Sequence, residues 1–272
     1  MKEALLTLST PMHWLFLTLV LLAVGSFLNV VITRIPAAVF AELEGCDSPE
    51  PIRQLFWPPS RCPGCRASIR WHDNLPVLGW LICQGRCRDC HQRIGWRYPT
   101  AELLMAAAGV CIAARFGLTA EGLGLVLLSA WLISLALIDL ETRLLPDLLT
   151  LSGLWLGLLA ACLGLYVSPT EAIAGAAAGY CLLALPNALY RLWRGHDGMG
   201  GGDFKLMALL GAWLGPQALP AVILLAAGGG LLQAALLTIA GRLQTGQSIA
   251  FGPWLAAAGW FTVVWGYEWS LS

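Results

Sequence analysis

Residues 198–206, with the sequence GMGGGDFKL, combine a flexible backbone with an acid. Four glycines precede Asp203, and apolar chain follows from Phe204. Glycine permits positive φ and the close approach of another backbone, and a carboxylate can transfer protons during hydrolysis. The pattern therefore predicts a cavity for an extended peptide beside Asp203, bordered by Gly200 and Gly202. The alternative is that Asp203 only caps a short helix that begins at Phe204.

Three further acids lie beside apolar runs on the same predicted side of a membrane. Asp139 closes one run, Glu141 lies two residues farther out, and Asp147 follows Pro146. We expect Glu141 to be solvated and Asp147 to cap a helix. Ionisable groups at membrane depth are functional candidates. Spacing alone leaves Asp139 and Asp147 as rival partners for Asp203.

Two carboxylates that face each other across a cavity can share a proton. The ionised member can then take a proton from water while the protonated member polarises a peptide carbonyl. This chemistry is aspartyl peptide hydrolysis. The sequence lacks the motifs of competing chemistries. The four histidines form no HExxH zinc-binding pair, and the sequence contains neither the serine-hydrolase motif GxSxG nor the phosphate-binding motif GxxxxGK[ST].

Four cysteines have the spacing of a metal site. Cys62 and Cys65 form one CxxC pair, and Cys87 and Cys90 form a second pair after 21 intervening residues. Two such pairs predict a tetrahedral thiolate site for zinc, and four closed ligands indicate a structural ion. We interpret Cys83 as a buried thiol, and Cys46 has no assigned role.

The composition is that of a membrane protein, with 58% hydrophobic and 12% charged residues. We predict an all-α polytopic fold with about eight transmembrane helices. The apolar runs are 14–32, 101–114, 123–138, 148–166, 173–189, 204–214, 218–240 and 249–264. Three segments follow: a first helix at 1–35, a zinc-stapled domain at 36–100, and a membrane-embedded catalytic domain at 101–272.

Basic residues set the predicted orientation. With the N-terminus outside, the odd-numbered loops carry 14 of the 16 lysines and arginines, as the positive-inside rule requires for cytoplasmic loops. The acids and the cysteine domain then face the cytoplasm. The net charge of zero gives no indication of a nucleic-acid partner.

The sequence resembles the bifunctional type IV prepilin leader peptidases and N-methyltransferases, which are membrane aspartyl proteases of the GxGD kind. The resemblance covers nearly the whole chain. Its motifs, in the order of the family, are GSFLNVVITRIP, the two CxxC pairs, NLPVLGWL, RYPTAE, LIDLETRLLPD, GMGGGDFKL and FGPW.

The resemblance implies that Asp139 and Asp203 are the catalytic pair, in the inner membrane of a bacterium. It implies removal of the leader from prepilins or type II secretion pseudopilins, followed by methylation of the new N-terminus with S-adenosylmethionine. Gly85 matches a glycine linked to methyl transfer, although a turn before Cys87 explains it equally well. The residues that contact the methyl donor stay open, as do the oligomeric state and the choice between pilin and pseudopilin substrates.

Two other classes of function fit parts of the sequence. A proton-coupled carrier would also have intramembrane carboxylates, but it predicts repeated halves and a midplane site, and no repeat is visible. A non-catalytic scaffold would explain the four cysteines and leave the glycines before Asp203 without a purpose.

Overall fold

The computed structural model describes residues 11–45, 51–56, 59–242 and 249–266, and Cys46 lies outside them. These residues form helices without a β-strand, apart from two isolated β-bridges. The helices are α1 (Pro11–Leu43), α2 (Pro51–Phe56), α3 (Leu78–Ile82), α4 (Arg97–Phe116), α5 (Ala120–Thr142), α6 (Asp147–Cys162), α7 (Pro169–Arg194), α8 (Gly201–Leu214), α9 (Leu219–Ile239) and α10 (Gly252–Phe261). A 3₁₀ turn precedes α9, and a π-helical turn follows α10.

Five helical segments of the described chain are long and apolar enough to cross a membrane. Helices α6, α8 and α10 also occupy predicted apolar runs, but they contain 16, 14 and 10 residues. The all-helical class is therefore confirmed, and the count of eight spans stays a prediction. The qualifying segments are Pro11–Leu43, Arg97–Phe116, Ala120–Thr142, Pro169–Arg194 and Pro216–Ile239.

The first helix continues beyond the predicted end of the first span. Helix α1 runs through Pro36 to Leu43, a length of 33 residues. At about 1.5 Å per residue it is roughly 50 Å long, which exceeds the roughly 30 Å of a hydrocarbon core. The start of the cysteine-containing segment is therefore helical.

The chain divides into two compact units, with the division after Ser134 within α5. In the first unit, α1 packs against α4 at close range. A Cβ atom on Gly25 would lie 2.6 Å from the Glu102 Cα atom, and one on Gly109 would lie 2.4 Å from the Leu21 side chain. Glycine at these positions lets the two helices meet closely.

Helix α8 is the buried centre of the second unit, where it packs against α6 and α7. Gly175 on α7 and Gly211 on α8 face each other, and a Cβ atom on either would lie within about 2.1 Å of the other's carbonyl oxygen. The Trp213 indole N–H donates to the Gly153 carbonyl of α6 over 2.9 Å. These contacts fix the helix that carries Asp203.

Candidate active site and metal centre

Asp139 lies near the end of α5 and is only 6% exposed. Its carboxylate accepts a hydrogen bond from the backbone N–H of Gly252 over 3.1 Å. Gly252 is the first residue of α10, so the positive end of that helix also lies at the carboxylate. A Cβ atom on Gly252 would lie 2.7 Å from Asp139 Oδ2. Only glycine therefore fits this contact without displacement.

Asp203 lies in the first turn of α8 and is partly buried. The carboxyl group of Asp139 is close enough for its charge to act on that of Asp203. The structure thus brings together the two acids that the resemblance pairs. The interaction between like charges is the feature that a shared proton requires.

The glycine segment does not have the predicted conformation. Helix α8 begins at Gly201 instead of Phe204, and its N-cap is Gly200, with φ −71° and ψ 142°. None of the glycines at 198, 200, 201 and 202 has positive φ. The predicted start of the helix at Phe204 is wrong, because the chain enters the helix two residues before the acid. Asp203 is also not the N-cap.

Glycine has two different roles in this segment. A Cβ atom on Gly201 would meet nothing within 4 Å, and one on Gly200 would meet only Asp203 Oδ2, at 3.8 Å. Open space therefore adjoins both residues. A Cβ atom on Gly202 would lie 2.6 Å from that of Leu145. Gly202 thus has a packing role, and its position beside a substrate stays a prediction.

Asn187 on α7 holds the segment that leads to Asp203. Its side-chain oxygen accepts hydrogen bonds from the N–H groups of Gly198 and Met199, at 2.8 and 3.0 Å. Its side-chain nitrogen donates to Asp197 over 2.9 Å. Sequence analysis missed Asn187, because eleven residues separate it from Gly198 and no motif marks the pair.

Asp147 has a different role from the one expected. It is the first residue of α6, the N-cap is Pro146, and no side chain caps this helix. The Asp147 carboxylate instead forms an ion pair with the Lys205 ammonium group on α8. The capping prediction is wrong because the Asp147 carboxylate pairs with Lys205 and not with the backbone N–H groups of α6. Glu141 is exposed, as expected.

The four CxxC cysteines of the first unit converge. The Sγ atoms of Cys62 and Cys90 are 3.6 Å apart, those of Cys65 and Cys87 are 3.9 Å apart, and all four lie within 4.8 Å of one another. Four thiolates around zinc at Zn–S distances near 2.3 Å would stand about 3.8 Å apart. The cluster can therefore hold a metal ion, and the donor set fits zinc.

The two CxxC segments form the same turn. In each, the first cysteine donates its N–H to the carbonyl five residues on and accepts from the N–H four residues on. The fourth residue on, Arg66 or His91, has positive φ. Backbone N–H groups of Cys65 and Gly64 lower the pKa of Cys62 to about 6. Burial and the neighbouring thiols raise the pKa of Cys65 to about 12. The cluster therefore favours one ionised thiol, at Cys62.

Cys83 and Gly85 lie beside this cluster without belonging to it. Cys83 is half-buried, and its thiol hydrogen-bonds to Asp73, which also pairs with Arg88. Gly85 has φ +65°, and a Cβ atom there would lie 2.8 Å from the Trp80 ring. Gly85 thus satisfies the turn interpretation. That finding leaves its proposed link to methyl transfer untested.

Comparisons with known proteins identify the family of this chain. The bacterial peptidase A24 N-terminal domain matches residues 19–116, and the type IV leader peptidase family matches residues 126–238. A prepilin leader peptidase/N-methyltransferase of Aeromonas hydrophila is 43% identical, over 96% of this chain and 95% of its own length. The chain belongs to the type IV leader peptidase family.

Two more relatives extend this likeness. Prepilin leader peptidase/N-methyltransferases of Pseudomonas putida and Pseudomonas aeruginosa are 43% and 41% identical. Each match covers 95% of this chain, with 93% and 92% of the relative. No solved structure matches the chain. Membership of the leader peptidase family thus applies to both units of the chain.

The Gly252 contact makes a prediction about stability. Gly252→Ala should lower the free energy of unfolding by about 1–3 kcal/mol, because its methyl group would overlap the Asp139 carboxylate. Thermal unfolding in detergent measures the change. Gly228→Ala on α9 is the matched control, since a Cβ atom there meets nothing within 4 Å. Equal effects of the two substitutions would contradict the close contact.

The Asn187 contact makes a second prediction. In Asn187→Ala, the amides of Gly198 and Met199 should exchange with deuterium about fivefold faster or more, because each lost hydrogen bond is worth about 1 kcal/mol. Asn187→Asp keeps an acceptor oxygen and should retain most of the protection. Hydrogen exchange followed by mass spectrometry reads both. Unchanged exchange in the alanine variant would refute the role of Asn187.

Proposed function

We propose that this protein removes the leader peptide of type IV prepilins and then N-methylates the new N-terminal residue. The observation that carries the proposal is that Asp139 lies within electrostatic range of Asp203 in a chain of the leader peptidase family. The relatives that match nearly its full length bear the name of both activities.

Peptide hydrolysis by this pair needs no covalent intermediate. The carboxylate of Asp139 takes a proton from water, and the resulting hydroxide oxygen bonds to the carbonyl carbon. The protonated carboxyl of Asp203 gives its proton to the carbonyl oxygen, which forms a neutral gem-diol. One diol hydroxyl then gives its proton to the Asp203 carboxylate as the C–N bond breaks, and the leaving amine takes the proton that Asp139 holds.

The hydrogen bond from Gly252 supports this division of roles. A backbone N–H donor stabilises the charged form of a carboxylate, and Asp139 accepts such a bond. Asp147 is a weaker candidate than Asp139. Its side chain is 62% exposed, and its charge is already paired with Lys205. The open space beside Gly200 and Gly201 offers room for the extended substrate backbone.

The proposed setting is the bacterial inner membrane, crossed about eight times, with the N-terminus outside. Both activities then face the cytoplasm, since the odd-numbered loops hold most of the basic residues. The substrates we propose are prepilins and pseudopilins of type II secretion. A positively charged leader of such a substrate stays on this side of the membrane.

Methyl transfer is proposed for the cysteine-containing segment at residues 36–100. Bound S-adenosylmethionine would supply an electrophilic methyl group to the new N-terminal amine. Zinc held by Cys62, Cys65, Cys87 and Cys90 has a structural role, because four thiolates leave no open position. Gly85 shapes the turn next to that site.

Substitution of the dyad tests the peptidase. Asp139→Asn and Asp203→Asn should each lower the rate of leader removal by about 10²–10⁴-fold, because each carboxyl transfers a proton. Asp147→Asn should cleave at nearly the wild-type rate, since an exposed ion pair contributes at most about 1 kcal/mol. Mass spectrometry of a prepilin incubated with each variant in detergent reads the lost leader. Retained cleavage in either dyad variant removes that residue from the mechanism.

Removal of zinc tests the modular role of the cysteines. A chelator should abolish methylation of a pre-cleaved substrate while leader removal falls by about threefold or less, because structural zinc stabilises its own domain. Cys90→Ser should act like the chelator. Cys181→Ser on α7 is the matched control and should retain both activities. Parallel loss of cleavage and methylation would contradict a separate module.

A further inference from the structure

The first unit contains a cavity bordered by the two CxxC turns, the middle of α1 and the start of α4. Its volume is about 330 Å³, within the usual range for small-molecule sites. Its lining includes polar and aromatic side chains from α1, α3, α4 and the chain between them. The residues relevant here are Ser26, Asn29, Val77, Trp80, Tyr98 and Glu102. The carboxylate dyad belongs to the other unit.

Glu102 brings a negative charge to this cavity. The residue is 6% exposed, and its carboxylate accepts hydrogen bonds from the Val77 backbone N–H, at 2.7 Å, and from the Ser26 hydroxyl. Both donors are neutral, and no arginine or lysine of the described chain forms an ion pair with Glu102. A buried carboxylate without a counter-charge is costly. It therefore favours a ligand that carries a positive charge.

Asn29, one turn of α1 beyond Gly25 and Ser26, adds an acceptor atom without a hydrogen-bond partner. Its side-chain nitrogen donates to the Tyr98 carbonyl over 3.0 Å. Its side-chain oxygen is buried and has no hydrogen-bond partner, although the residue is only 4% exposed. Buried polar atoms are nearly always satisfied in folded proteins. Asn29 lines the cavity, so a small rotation of its side chain would let this oxygen contact a bound ligand.

The remaining walls suit the other parts of one class of ligand. Trp80 offers an indole ring held in place by its N–H bond to the Ile94 carbonyl, at 3.2 Å, and aromatic faces stack on nucleobases. Arg61, Arg86 and Arg93 also line the cavity. Guanidinium groups bind carboxylates. The cavity thus combines sites for a cation, a planar base and a carboxylate.

We infer that this cavity binds the S-adenosyl methyl donor, with the sulfonium group against Glu102 and Asn29 and the adenine ring against Trp80. The inference rests on the proposed methyl transfer and assigns it a site. Glu102 and Asn29 hold the positive charge, and Trp80 orients the base. The turn at Gly85 places no side chain against Trp80, which keeps that ring in position.

Binding of a charged and a neutral ligand tests the inference on the whole detergent-solubilised protein. S-adenosylmethionine carries the sulfonium charge, and S-adenosylhomocysteine lacks it. In Glu102→Gln, the preference for the charged ligand should fall at least about tenfold relative to wild type, because a buried charge partner is lost. Isothermal titration calorimetry gives both affinities. Glu121→Gln, outside the cavity, is the matched control and should keep the wild-type preference.

Several results would overturn the assignment. An unchanged preference in Glu102→Gln would do so, as would an equal change in Glu121→Gln. If Glu102→Gln weakens only the binding of a cleaved peptide with a free amine, the site belongs to the acceptor instead. A wild-type protein that neither binds the donor nor methylates would contradict the proposed methyltransferase itself.

A second measurement does not depend on a folded variant. Ultraviolet crosslinking of radiolabelled S-adenosylmethionine to the wild-type protein should label the peptides that contain Trp80 or Tyr98. Excess S-adenosylhomocysteine should suppress the label. Label confined to other peptides would refute the site even if Glu102→Gln fails to fold. Thermal unfolding of Glu102→Gln in detergent, compared with the wild-type protein, checks that the variant is folded.

Discussion

The contact between Gly175 and Gly211 determines how the helices of the second unit pack around α8. It brings the backbones of α7 and α8 together, so α8 is enclosed by its neighbours along nearly its whole length. Helix–helix association in lipid depends on close packing, because apolar side chains gain little by leaving lipid for protein. A helix held this way has little freedom to shift. Asp203, in its first turn, therefore has a defined position relative to α7.

Different interactions stabilise the two units. The second unit uses small residues and helix packing, as at Gly157 beneath Trp213. The segment between α1 and α4 has few large buried side chains, with Cys62 as the buried hydrophobic residue between 59 and 96. A segment of that size has too little core to fold alone. A metal ion held by the four converging cysteines would provide the cross-link that its hydrophobic residues cannot.

Local patterns made part of this structure predictable. The cysteine cluster was predicted from two CxxC pairs, because zinc ligands often occur in closely spaced pairs that a short stretch of sequence reveals. Asp139 and Asp203 were recognisable as acids beside apolar runs. By contrast, Gly252 and Asn29 gain their significance from partners that are 113 and 69 residues away. Such contacts leave no periodic signal in the sequence.

The wrong expectations have related physical causes. The helix that carries Asp203 was expected to begin at Phe204, but it begins at Gly201, after a segment whose Gly198 and Met199 donate hydrogen bonds to Asn187. Asp147 matched the pattern of a cap, but Lys205 on another helix competes for its charge. The bond between Gly252 and Asp139 also has a consequence for biosynthesis. Because translation reaches Asp139 113 residues before its donor, a nascent chain that has inserted α5 lacks the completed carboxylate site until α10 emerges from the ribosome.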